Sequence, residues 1–322
     1  MQEVIFLKQN MDKWKKFESV IQSNQKSDPD QLADLFIELT DDLSYARTFF
    51  PNSKTTRYLN TITGMVHQKI YRNKKERSNY YLAFWKVDLP LILYEHRKEI
   101  FISFAIFITA LFIGVISAAN DNTFNRLILG DQYINKTLDN INKGDPLAVY
   151  KQAGEIQMFL GITFNNIYVA FQTFILGIIF TIGTVYSLFT NGVMLGSFQY
   201  FFFEQGLLFK SILIIWIHGT LEISAIIIAG AAGLVMGNGI LFPKTYSRLM
   251  SFRKGAKDGM KIAVGLIPVF IIAGFLEGFV TRHTKMPTWL SLCIILSSLT
   301  FVIWYFIIYP SHIAKGEKNA SV

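Results

Sequence analysis

Apolar residues recur at helical spacing in the N-terminal part of the chain and then change to long unbroken runs from residue 100 onward. Met11, Trp14, Phe17, Val20 and Ile21 mark one helical face over 11–23. Leu32, Leu35, Phe36, Leu39 and Leu43 form a stripe over 31–47, and Leu59, Ile62, Val66 and Ile70 another over 55–72. Asp28, Pro29 and Asp30 break the first two segments, with Asp28 or Asp30 as N-cap, and Phe50-Pro51-Asn52-Ser53 ends the second. Three amphipathic helices of this kind can bury their apolar faces against one another as a small bundle.

The later runs are of a different kind. Residues 100–118 hold no charge, and about 20 apolar residues cross a hydrocarbon core. Residues 119–165 read as a polar loop with short helices and 166–190 as a second span, with Asn191-Gly192 as a turn. Next come a short segment at 193–204, crossing or re-entrant, and a longer one at 207–237, interrupted at His218-Gly219. Spans at 262–281 and 288–309 follow, joined by the turn RHTKMP. The expected fold is therefore an all-α membrane protein: a polytopic bundle of about six spans over 98–312, behind a soluble helical domain over 1–97. That domain ends in 79–96, where Tyr80, Tyr81, Phe84 and Trp85 follow the basic run of 72–77, a composition suited to the membrane interface.

Charge refines this picture. Charged residues make up 17% of the chain, against about 25% in soluble domains. Residues 1–99 nevertheless carry 16 Lys/Arg and 13 Asp/Glu, an ordinary soluble density. The net charge of +8 falls largely where a membrane protein needs it for orientation. Loop 241–261, with six basic residues and one acid, is expected to be cytoplasmic, and loop 119–165, with four basic and five acidic, extracytoplasmic. The first residues, MQEVIFLKQNMDKWKKF, lack the apolar core and cleavage site of a signal peptide. Both termini, including the tail 313–322, are expected in the cytoplasm. No basic run interleaved with aromatics suggests a nucleic-acid partner. The single cysteine, Cys293, allows no internal disulfide and reads as a small apolar residue.

Few ionisable residues lie in the apolar runs. Glu204 and Lys210 sit beside a turn and can reach water. His218, Glu222 and Glu277 are harder to solvate, at a cost of about 2.5–3.5 kcal/mol for a charge at mid-membrane. His218 and Glu222 are one helical turn apart and share a face; Glu277 belongs to another span. Two readings stand: a polar clamp between helices, or a proton-linked, ion-linked or polar-substrate site. Small residues are dense from Gly219 to Gly237, and Gly274 and Gly278 have close-approach spacing, which points to tight packing within or between subunits. Asn165, Asn166 and Asn191, at the ends of the second span, read first as helix caps and second as site candidates. No HExxH, GxSxG or phosphate-binding loop is present, and a His–Glu pair alone falls short of a zinc site. Neither catalysis nor a cofactor is expected.

Several residues together resemble the stage II sporulation protein M family of bacterial membrane proteins. In the N-terminal region these are Asp42-Leu43-x-x-Ala46-Arg47, Phe50-Pro51-Asn52-Ser53, Tyr58-Leu59-Asn60 and Val66-His67. In the membrane region they are Asn165-Asn166, Asn191-Gly192 with Gly196, His218-Gly219-x-x-Glu222, the small-residue run to Gly233, and Glu277. The resemblance implies a protein of the bacterial cytoplasmic membrane. The sporulation member works with a peptidoglycan-degrading partner and a third membrane protein, whereas many relatives come from bacteria that form no spores. The expectation is a non-enzymatic scaffold or assembly subunit of an envelope complex, with other membrane proteins or further copies of itself as partners. The alternative is a transporter or channel component built around His218, Glu222 and Glu277.

Overall fold

The computed structural model describes residues 3–22, 29–72, 80–121, 123–146, 148, 154–282 and 286–320. Asp28 of the first break, most of the basic run at 72–77 and the middle of the RHTKMP turn lie outside them, as do the side chains of Val20, Ile21, Asp30, Leu32, Ile70, Tyr80 and Tyr81. The described residues contain no strand. The chain divides into two units, Met1–Tyr81 and Leu82–Val322.

The first unit consists of α1 (Glu3–Gln22), α2 (Pro29–Phe49) and α3 (Lys54–Arg72). Pro29 suits a helix start, where no amide hydrogen is needed. The Ser53 hydroxyl accepts from the Thr56 amide at 3.1 Å and caps α3. Trp14, Leu39, Leu43, Leu59, Ile62 and Val66, all placed on apolar stripes by their spacing, close the core, joined by Phe6 and Ala46. Met11, on the same stripe, is exposed. Two polar anchors fix the register. Trp14 Nε1 donates to Asp42 Oδ2 at 2.8 Å, and Arg47 Nη2 donates to Asn60 Oδ1 at 2.7 Å.

The second unit begins earlier than residue 98. A π-turn at Phe84–Asp88 leads into α4 (Leu89–Glu95), whose Leu89 and Leu93 are buried in the main core of this unit. Trp85 Nε1 donates to the Gly265 carbonyl at 3.3 Å, and Tyr305 Oη to the Trp85 carbonyl at 2.8 Å. The aromatic segment expected at the interface is thus packed against the bundle. After it come α5 (Arg97–Asn120), α6 (Phe124–Leu129), α7 (Asp131–Asn142), α8 (Glu155–Ile175, with a 3-10 extension to Ile178) and α9 (Ile182–Glu204). The rest is α10 (Leu208–Leu241), α11 (Arg248–Thr281) and α12 (Thr288–Gly316). Five of these, α5, α8, α10, α11 and α12, are long and apolar enough to cross a membrane. Their outer faces carry exposed Phe101, Phe112, Phe164, Trp289 and Ile307, an apolar surface that lipid can cover.

Four boundaries differ from the sequence pattern. The second long helix is α8, not 166–190, and it starts inside the polar loop 119–165, where α6 and α7 are the short helices expected. The turn after it lies at Phe180 and Thr181, both with positive φ, rather than at Asn191-Gly192. Segment 193–204 is therefore the second half of a 23-residue helix, α9, whose Thr, Ser and Asn content leaves it less apolar than the five. Gly192 lies mid-helix because a Cβ there would meet the Phe107 carbonyl oxygen at 2.7 Å, so α5 and α9 pack backbone to backbone. Likewise α10 runs unbroken through His218-Gly219. Span 262–281 is the second part of α11, which already starts within the basic loop and is interrupted at Leu266 just before Pro268.

Helix α10 is the centre of the unit. Antiparallel to it, α11 packs Gly255 on the Val235 carbonyl and Gly259 on the Ala232 carbonyl. Parallel to it, α8 meets Gly233 through the Thr173 carbonyl. Most of α10 is buried, and its Ser211, His218 and Thr220 face protein.

Candidate functional site

Helix α10 positions two of the three intramembrane groups. His218 and Glu222, one turn apart, project toward α11 and α8. At 1.5 Å per residue, His218 is about 15 Å along the helix from Leu208. The third group, Glu277, comes from a π-turn that closes α11 at Leu276–Thr281. A π-turn widens the helix by one residue and re-aims the side chains it carries, and such turns recur at functional sites. Here it directs both Glu277 and Thr281 at His218.

His218 Nδ1 lies 3.0 Å from Thr281 Oγ1, and that hydroxyl donates its one proton to the Leu276 carbonyl at 3.1 Å. The hydroxyl must then accept from His218, which places the imidazole proton on Nδ1. Nε2 consequently faces Glu277 Oε2 at 3.6 Å. Glu222 Oε1 accepts from Asn166 Nδ2 at 2.5 Å. The ligand atoms of His218, Glu222 and Glu277 all lie within 4.8 Å of one another. His218 is 4% exposed. Two facing carboxyl groups in such a setting relieve their repulsion either by sharing a proton or by holding a cation between them.

The cluster borders a cavity. His218 and Glu222 line a cavity of about 550 Å³, together with Asn165, Asn166 and Asn191. Asn165 and Asn166 are mid-helix in α8, and Asn191 is mid-helix in α9, where its Nδ2 donates to the Ser187 carbonyl at 2.8 Å. None of the three is a helix cap. They add amide groups to the chamber wall, a role hidden while the limits of α8 and α9 were misplaced. Thr281 and Tyr133 escaped the sequence pattern. Thr281, one turn beyond Glu277, could have been found by its spacing. Tyr133, on α7, lines the cavity mouth with Leu129 and Phe198, and burial pushes its phenol above the usual range. Ser197 Oγ donates to Asn125 Oδ1 at 2.7 Å and ties the α6–α7 cap to α9. Glu204 and Lys210 are exposed.

A second cluster lies at the other end of the bundle. His96 Nε2 is 3.5 Å from Asp258 Oδ2, with Glu99 and Glu95 adjacent. Lys254 lies 3.9 Å from Glu95, and Asn238 Nδ2 donates to Glu99 at 3.3 Å, so this network fastens the α4–α5 junction to α10 and α11.

Residues 103–282, more than half of the chain and the whole of this site, match the family described as stage II sporulation protein M. The chain belongs to that family. The match starts within α5, so the motif pieces at 42–67 lie outside it; residues 4–72 match a separate family, a domain of unknown function (DUF8413). No curated protein matches the chain, and no solved structure does. As a stage II sporulation protein M family member with five helices able to span a bilayer, the protein is a multi-pass membrane protein.

Proposed function

We propose that this family member binds a small polar or charged solute within the membrane, as a transport-type protein, in a chamber between α8, α9 and α10. One observation carries the reading: the three costly ionisable groups converge, and two of them open onto a cavity lined by three asparagine amides. A clamp that only packs helices needs no such space, since helix contacts in membranes are built from small residues and closed polar pairs. The same observation favours this reading over the assembly subunit anticipated from the resemblance.

The chamber lies toward the end of the bundle that carries α6 and α7. We place that end outside the cell and both termini in the cytoplasm of a bacterium. The support is the charge distribution: Lys244, Arg248, Arg253 and Lys254 cluster at the opposite end, and positive charge is retained on the cytoplasmic side.

Thiol labelling tests the chamber. In a Cys293→Ser background, Asn191→Cys is treated in intact cells with a membrane-impermeant thiol reagent. Labelling from outside is the expected result. A thiol that reacts only after denaturation means a dry site and defeats the proposal.

A further inference from the structure

We propose that His218 Nε2 and the carboxylates of Glu222 and Glu277 form a binding site for a divalent transition-metal cation, with an open coordination position facing the chamber. The inference rests on the chamber reading for the route by which the cation enters. Neither the family nor the sequence pattern assigns it, because His218 and Glu222 alone supply too few ligands.

Four observations carry it. First, two donors on one ion, each at about 2.0–2.2 Å, sit roughly 3–3.5 Å apart. His218 Nε2 and Glu277 Oε2, at 3.6 Å, are near that spacing and longer than a good hydrogen bond. The ligand atoms of the whole triad all lie within 4.8 Å of one another. Second, two of the three groups are already oriented by an outer partner. Thr281 holds His218 by Nδ1 and so aims Nε2 at the acids, and Asn166 holds Glu222. A ligating histidine commonly uses its second nitrogen in this way, and ligating carboxylates are themselves hydrogen-bonded. Third, the charges balance. Two carboxylates against a neutral imidazole match a divalent ion, and no Lys or Arg among the described residues forms an ion pair with Glu222 or Glu277. Fourth, the donor set selects the class. One imidazole with two carboxylates suits manganese, iron, cobalt, nickel or zinc, whereas magnesium and calcium prefer oxygen ligands throughout.

The test uses the full-length protein in mild detergent, stripped with a chelator, loaded with zinc or cobalt and freed of excess metal. Elemental analysis is expected to find about one equivalent per chain, and the cobalt form a visible spectrum typical of mixed nitrogen and oxygen ligands. Thr281→Ala should lower affinity by about 10–100-fold while leaving the ligands in place. Glu222→Gln and Glu277→Gln should abolish stoichiometric binding. His96→Gln should leave it intact, and loss of metal there would move the site to the second cluster and overturn the proposal. So would absence of metal from monodisperse, helical wild-type protein, a measurement that stands even if the glutamine variants do not fold. A chain labelled at Asn191→Cys but devoid of metal would retire the cation and keep the chamber. A metal-bound chain that resists labelling would do the reverse.

Discussion

At the scale of single residues, backbone proximity decides more than charge. Gly192 lies against Phe107 and Ala110 of α5 with no room for a side chain. Gly192→Val should therefore force α5 and α9 apart, at a cost of about 1–3 kcal/mol or more. A lower thermal midpoint of the purified protein in detergent, with helical content retained, is the expected outcome; an unchanged midpoint would show that the contact yields freely. The same residue explains a misreading. Asn-Gly is a strong turn dipeptide in water-soluble chains, but here the glycine serves close approach and the asparagine faces a chamber. The actual turn uses Phe180 and Thr181, which carry no turn signature. The intramembrane His and Glu residues were legible because burying them without partners is expensive. Asn166 was legible only as a second choice after a helix cap and Thr281 not at all, because ordinary polar residues give no such signal until their neighbours are known.

At the scale of elements, the π-turn at Leu276–Thr281 is the device that brings α11 into the site. It presents Glu277 and Thr281 to the same imidazole. Deleting Phe279 would convert the turn to regular α-helix and rotate Thr281 away from His218. Metal affinity should then fall at least as far as in Thr281→Ala, in the same loading assay. Equal affinity would mean that the histidine needs no such support. Helix limits were legible where composition is extreme: the run 100–118, which holds no charge, lies wholly within α5. They were illegible in α8 and α9, where Thr, Ser and Asn interrupt the apolar pattern, because those polar groups are satisfied by packing. Thr173 and Ser187 hydroxyls pair at 2.6 Å, and Thr184 Oγ1 donates to the Thr173 carbonyl at 2.8 Å. Periodicity does not reveal a partner on a neighbouring helix.

At the scale of the molecule, two units of different character share one chain. The first closes its own core of Trp14, Leu39, Leu59 and Val66, and the family boundaries divide the chain in the same way. The second buries a core of its own and also leaves large apolar residues such as Phe101, Phe164 and Trp289 exposed. The proposed orientation follows from its basic end. A fluorescent protein fused after residue 322 should fold and fluoresce in the cytoplasm, and a phosphatase that needs export should be active when inserted near Gly144. The opposite pattern would invert the topology and turn the chamber inward. In the proposed orientation, α5 and α8 to α12 would make six crossings and return the chain to the cytoplasmic side.

Helix α9 has a consequence for biosynthesis. The segment is long enough to cross the bilayer but too polar to be recognised as a span by composition alone. A translocation channel that judges segments by partition into lipid would release it poorly when it emerges first and alone. Its entry depends on company: α5 laid against Gly192 and Gly196, and α8 joined to it by a three-residue hairpin bend at 179–181. Those neighbours, rather than its own composition, are what holds α9 within the bundle.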